Sequence, residues 1–234
     1  MSNIVITGAG KGLGKAISER FGKEGSNFYL CSRTQSDLDS LESELMKLNS
    51  NNKVTKIICD ISTASGVDFI FNTISEITDR VDLLINNAGV FLPGEISDPD
   101  CNNLEQQMNT NFWSAYRLTR LLLPAMKSSR TGTIINMCSI ASLDAYPGGS
   151  HYCISKFALY GFSKCLRQEL IPYNIRVISV LPGATWSNSW SGVELPEERL
   201  MKAEDVAEVI YTAYSLSNNA VMEEVILRPQ LGDL

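Results

Sequence analysis

Two hydrophobic rhythms take turns along this chain, and their alternation leaves few folds open. Short runs rich in β-branched and other apolar residues occur at 4–7, 27–32, 54–59, 81–85, 133–138, 175–181 and 221–227. Most are nearly continuous in apolar side chains, the pattern of strands covered on both faces. Between them the period lengthens to that of a helix, at 13–25, 34–49, 100–126, 150–170 and 203–216. Leu13, Ile17 and Phe21 recur at four-residue spacing, and Leu38, Leu41, Leu45 and Leu48 form one stripe. Thr34-Gln35-Ser36-Asp37 has the form of a capping box ahead of that stripe. Alternation of this regularity predicts an α/β fold: a doubly wound parallel sheet of about seven strands, with helices on both faces and right-handed crossovers.

At 234 residues there is room for one such unit, because domains run to about 100–200 residues and α/β folds reach about 250. A single domain over 1–234 is therefore expected. One long irregular stretch, at about 183–202, follows the strand ending at Leu181. It rises from the carboxyl edge of the sheet, where open α/β folds bind ligands, and its length suits a lid over a substrate.

The first strand runs into Thr7-Gly8-Ala9-Gly10-Lys11-Gly12-Leu13-Gly14, which opens a helix. Gly8, Gly12 and Gly14 permit a tight turn and close approach of backbone to a pyrophosphate. The helix amino terminus adds N–H donors and a positive dipole, as in Rossmann-type sites. Which dinucleotide follows from the second strand. An NAD site usually ends that strand on an acid that holds the ribose hydroxyls. Here Ser32 stands in that place and Arg33 follows it. Arg33 is a planar, permanently charged fork suited to phosphate, and Lys11 is a second cation within reach. Together they favour NADP(H) over NAD(H), and the capping box accounts for Asp37 without a ribose. Asp60 and Ile61 end the third strand, where Asp60 either meets the adenine edge or caps a turn. In Asn86-Asn87-Ala88-Gly89, small residues let a coenzyme pass, and the amides either touch it or hold the backbone turn; Asn87, Ala88 and Gly89 are the candidates for contact.

Tyr152 and Lys156 are four residues apart in a helix that starts near Ser150, so they share one face. The first-turn position and the neighbouring ammonium should both lower the Tyr152 pKa and prepare it to donate a proton. Ser139 ends the fifth strand at the same sheet edge. Asn111 lies in the long preceding helix, from which it could bridge Lys156 to water. Each residue alone has an ordinary structural explanation; beside a nucleotide loop the set reads as catalytic.

Thr7-Gly8…Gly12-Leu13-Gly14, Asn86-Asn87-Ala88-Gly89, Asn111, Ser139, Tyr152-Cys153-Ile154-Ser155-Lys156 and Pro182-Gly183 resemble the short-chain dehydrogenase/reductase family in order and spacing, over essentially the whole chain. The resemblance implies a proton-donating Tyr152 and a Ser139 that orients a substrate carbonyl. It implies that Lys156 binds the nicotinamide ribose and tunes Tyr152, with Asn111 in a proton relay. Pro182 and Gly183 would border the nicotinamide. Many family members carry Thr three to four residues after that pair. Here Thr185 comes sooner and Ser187 later, which leaves two hydroxyls for the carboxamide. Met108-Asn109-Thr110-Asn111, Pro182-Gly183-Ala184, Ser189-Trp190 and the ending Glu223-Glu224-Val225-Ile226-Leu227-Arg228-Pro229…Gly232-Asp233 look like bacterial sepiapterin reductases.

The implied activity is NADPH-dependent reduction of a small carbonyl substrate, with the side-chain ketone of a pterin foremost. A general carbonyl or 3-oxoacyl reductase is the alternative, and a non-catalytic nucleotide-sensing module a remote one. Trp190 in the lid either stacks on a flat substrate or packs on the domain. Tyr146, Leu143 and Trp186 are further wall candidates. Asp233 is either a solvated terminus or, with the tail folded back, a partner for a pterin's amino edge.

The charge balance limits other partners. Twenty Lys and Arg against twenty-six Asp and Glu give a net charge of −6, unsuited to nucleic acid or anionic membrane. No apolar stretch approaches the roughly 18 residues of a membrane span. Nor does a basic-then-apolar leader pattern precede the first strand, so a cytoplasmic protein is expected. Six cysteines without a Cys-x-x-Cys pair, and a lone His151, predict reduced thiols and no metal site. The long helices at 100–126 and 150–170 carry apolar residues on more than one face. In the family resembled such helices pair across a two-fold axis, which implies a homodimer or homotetramer.

Overall fold

The computed structural model describes residues 1–98, 102–186 and 196–233. Strands β1 (Asn3–Thr7), β2 (Asn27–Ser32), β3 (Lys53–Ile58), β4 (Leu83–Asn86), β5 (Thr133–Met137), β6 (Arg176–Pro182) and β7 (Glu224–Leu227) form one sheet in the order β3-β2-β1-β4-β5-β6-β7. Every pairing is parallel. The expected doubly wound sheet is present, with strand ends within a few residues of the expected ones.

Alternate side chains of each strand serve opposite layers. Ile4, Ile6, Phe28 and Leu30 join a core with α1 (Gly12–Gly22), α2 (Gln35–Leu48) and α7 (Ala203–Ser215). Val5, Tyr29 and Leu84 face α3 (Ala64–Ser75), α5 (Ser114–Ser129) and α6 (Ser150–Leu170). A buried polar chain pins the second layer to the sheet. Asn86 Nδ2 donates to Asn136 Oδ1 at 2.8 Å and to Thr119 Oγ1 at 3.1 Å, and Asn136 Nδ2 donates to Ser163 Oγ at 2.6 Å.

Three local expectations need correction. Helix α3 was not anticipated, although Val67, Ile70 and Ile74 form its buried stripe and Thr63 caps it by accepting from Gly66 N at 3.0 Å. The helix expected at 100–126 is helical from α4 (Asn103–Gln107) onward. It passes through a π-helical turn at Met108–Trp113 before α5. The capping box of α2 is absent: Thr34 makes no side-chain cap bond, and Asp37 instead meets Lys11, Nζ to Oδ2, at 3.3 Å.

The register decides where the chemistry collects. Thr7 lies beside Cys31, Asn86 beside Asn136, Met137 beside Val180, and Pro182 beside Leu227. All the carboxyl ends therefore share one edge. The glycine loop, Arg33, Asp60, Asn87–Gly89, Ser139, Gly183–Thr185 and Arg228 emerge there together.

Candidate active site

A cavity of about 1290 Å³ follows that edge from the glycine loop to the C-terminal tail. Its size exceeds the roughly 300–1,000 Å³ of a single small-ligand pocket and suits a dinucleotide together with a substrate. Gly8, Lys11, Gly12, Leu13, Ser32, Arg33, Asp60, Ile61, Asn87, Ala88 and Gly89 line one half. Ser139, Tyr146, Tyr152, Lys156, Pro182, Gly183 and Thr185 line the other.

The glycine loop fits a pyrophosphate. Gly8 and Gly12 have φ of +65° and +54°, the region that disfavours side chains. A Cβ on Gly14, which lies behind the cavity wall, would collide with the Gly8 carbonyl oxygen. Asn87 holds this loop to β4. Its Nδ2 donates to Thr7 O at 2.9 Å and Gly8 O at 3.0 Å, while the backbone N–H groups of Asn87 and Ala88 donate to Thr7 Oγ1 at 3.0 Å. Of the two uses open to this amide, these bonds are those of the backbone turn. Asp60 likewise serves a turn, accepting from Ser62 N at 3.0 Å and Ser62 Oγ at 2.8 Å. Those bonds, and more weakly the Arg33 charge, hold its carboxyl below the usual range.

At the other end Tyr152 and Lys156 stack one turn apart in α6, with Lys156 Nζ 5.6 Å from the Tyr152 ring centroid. Lys156 Nζ donates to Met137 O at 2.8 Å, which ties the helix to the end of β5. Burial pushes the Lys156 ammonium down to about 8. The expected lowering of the Tyr152 pKa is not found. Burial pushes the phenol up to about 12, and the Ser139 hydrogen bond opposes this only in part. Desolvation of a phenolate outweighs the favourable neighbours. A phenol held in its protonated form is still suited to giving a proton to a stronger base. Phe91, which no motif in the sequence marks, presents a perpendicular ring to Tyr152 with centroids 5.3 Å apart.

Asn111 is buried behind this pair and does not line the cavity. Its Oδ1 accepts from Val90 N at 2.8 Å, and its Nδ2 donates to Val90 O at 3.0 Å and Ser155 Oγ at 2.9 Å. Ser155 Oγ in turn donates to Tyr152 O at 2.7 Å. The Asn111 side chain thus braces the loop after β4 against the first turn of α6.

Among the substrate-wall candidates Tyr146 faces the cavity, whereas Trp186 is 52% exposed and does not line it. Leu143 packs against the small core around Ala115 and Leu159. Trp190 and Ser187 lie outside the described residues. The other hydroxyl, Thr185 Oγ1, donates to Gly183 O at 3.0 Å. The tail is not a free terminus. Gly183 N donates to Leu227 O at 2.8 Å, Arg228 pairs with Asp233, and both line the cavity. Arg228 also approaches Asp144 at 4.0 Å. Arg228, Asp144 and Phe91 were legible only through topology, since each sits just past a strand end or on the loop after β5.

Comparison with known proteins agrees with this geometry. The model of the short chain dehydrogenase family matches residues 2–197. Sepiapterin reductase of Chlorobaculum tepidum is 34% identical over 99% of this chain and 97% of its own length. A metagenomic short-chain oxidoreductase solved in complex with NADP superimposes with a TM-score of 0.83 at 26% identity, covering 98% of this chain and 97% of that one. L-sorbose reductase from Gluconobacter frateurii, solved with NADPH and L-sorbose, gives a TM-score of 0.88 at 26% identity over 97% and 94%. From its glycine loop to its Tyr152-x-x-x-Lys156 helix, this chain belongs to the short-chain dehydrogenase family and is an oxidoreductase.

Proposed function

We propose that the protein is an NADPH-dependent reductase of a small carbonyl compound, with the side-chain ketone of a pterin such as sepiapterin as its foremost substrate. The observation that carries this reading is the meeting of Ser139, Tyr152 and Lys156 in the cavity that also holds Lys11 and Arg33. Lys11 and Arg33 would hold the 2′-phosphate, and the glycine loop the pyrophosphate. Bound there, NADPH would supply a hydride for the carbonyl carbon. Ser139 Oγ and the Tyr152 phenol donate hydrogen bonds to the carbonyl oxygen, stabilising the charge that develops there. Tyr152 then gives its proton to that oxygen, leaving an alcohol. The Lys156 ammonium offsets the charge left on the phenolate.

Three features support a flat heterocycle. Phe91 and Tyr146 add aromatic walls beside Tyr152. Asp233 is held within the cavity, where its carboxylate suits an amino edge. The similarity to a sepiapterin reductase extends over nearly the whole chain. Trp190, a candidate to stack on such a ring, lies outside the described residues. A homodimer or homotetramer in the cytoplasm completes it. Supporting the oligomer are Trp113, Ile154 and Phe157, which are 38%, 40% and 44% exposed on the helices expected to pair. Among the described residues no helix is long and apolar enough to cross a membrane.

The test is an NADPH-oxidation panel with sepiapterin, diketones and acetoacetyl thioesters, run on the wild type and on Tyr152→Phe. The variant is expected to bind NADPH normally and to lose at least about 100-fold in turnover, the lower range for a general acid. Near-normal turnover by Tyr152→Phe would sink the mechanism, and preference for the thioester would sink the pterin assignment.

A further inference from the structure

We propose that Asp37 sets how strongly the site prefers NADPH to NADH, because it competes for Lys11 and itself accepts from a ribose hydroxyl. The inference rests on the reading above, in which Lys11 and Arg33 receive the 2′-phosphate.

Both members of the Lys11–Asp37 pair line the cavity, beside Ser32 and Arg33. Their charges are 3.3 Å apart, and the two side chains are unequally held: Lys11 is 57% exposed and Asp37 18%. The carboxylate is the fixed partner and the ammonium the movable one. Asp37 stands in the first turn of α2, where the helix dipole favours its charge. A Cβ on Gly10 would come within 2.9 Å of both Asp37 Cβ and Ser32 Oγ. Asp37 therefore flanks the very residue that occupies the place of the ribose-binding acid in NAD sites. The helix brings a carboxylate back to that place from five positions further along the chain.

The consequences have opposite signs for the two cofactors. A 2′-phosphate that approaches Lys11 shares the ammonium with Asp37 and is repelled by the carboxylate. A 2′-hydroxyl donates to the carboxylate and asks nothing of Lys11. Asp37 thus weakens NADP(H) binding and strengthens NAD(H) binding, so the preference for NADPH is smaller than Lys11 and Arg33 alone would give.

The experiment measures Kd for NADP+ and NAD+ by calorimetry on the wild type, Asp37→Asn and Lys11→Met. Asp37→Asn is expected to tighten NADP+ about threefold and to weaken NAD+ by a similar factor, the scale of one partly exposed charge interaction. The NADP+ gain should shrink at high salt, which a merely structural effect would not do. If Lys11→Met weakens NADP+ while Asp37→Asn leaves it unchanged or weaker, the role of Asp37 is overturned and the phosphate placement stands. If Lys11→Met leaves NADP+ affinity unaltered, the placement falls and the inference with it. Circular dichroism checks the fold of each variant, and Asp37→Ser, which also removes the charge but keeps a short polar side chain at the helix start, repeats the measurement if Asp37→Asn does not fold.

Discussion

Lys156 keeps a positive charge in a place that opposes it. Its ammonium is buried, its pKa is pushed down to about 8, and its one hydrogen bond among the described contacts goes to Met137 O. Tyr152, raised to about 12, stays protonated well above neutrality. Of the two groups, Lys156 is therefore the one whose titration limits the free enzyme first. We expect kcat/KM for NADPH to be level near neutral pH and to fall on the alkaline side with an apparent pKa near 8, because kcat/KM reports the free enzyme. In Lys156→Arg the guanidinium keeps its charge and the limb moves upward. A wild-type profile that stays flat to pH 10, the ordinary tyrosine value, would contradict this. The spacing of Tyr152 and Lys156 was plain in the sequence. The direction of the phenol shift was not, because it depends on how completely Phe91, Ser139 and the surrounding backbone exclude water.

At the scale of elements, the amino ends of two helices can be tested against each other. Thr63 caps α3, which packs on the opposite face of the sheet from α1, and Gly14 lies in the first turn of α1. Thr63→Ala should cost about 1 kcal/mol in urea unfolding, the usual value of such a cap, and retain NADP+ binding. Gly14→Ala should abolish NADP+ binding in calorimetry, since its Cβ would push on the Gly8 carbonyl and distort the turn. Equal binding by the two variants would show that the loop tolerates a side chain after all. Most elements were readable from period alone, because strands buried on both faces and helices with one apolar stripe leave different patterns. Helix α3 stands outside the sequence expectation although Val67, Ile70 and Ile74 carry the helical spacing. The π-turn at Met108–Trp113 left no periodic signal. It is where Asn111 enters its brace with Val90 and Ser155, a contact between segments 21 and 44 residues apart.

For the whole molecule, the exposed apolar band on the 108–129 and 150–170 helices predicts association. Sedimentation equilibrium at micromolar concentration should give a dimer or tetramer mass for the wild type. Phe157→Glu should shift the mass toward monomer with an unchanged circular dichroism spectrum. A monomeric wild type would contradict the proposal. Within one chain, closure comes from contacts between its two extremes. Phe21 of α1 meets the rings of Tyr211 and Tyr214 of α7 at 5.2 and 5.4 Å, and Arg20 pairs with Glu208 at 2.5 Å. The same folding back brings the tail to the cavity, where Arg228 and Asp233 become wall residues. Sequence alone determined the sheet, the helices other than α3, the glycine loop and the Ser139, Tyr152 and Lys156 set, because each depends on local period, local spacing or the rule that parallel strands end on one edge. Only the tertiary structure decided the partners of Asp37, Asn87, Asn111 and Asp233. Those depend on which distant groups arrive first at a shared carboxylate, amide or carbonyl, and no local pattern in the chain encodes that competition.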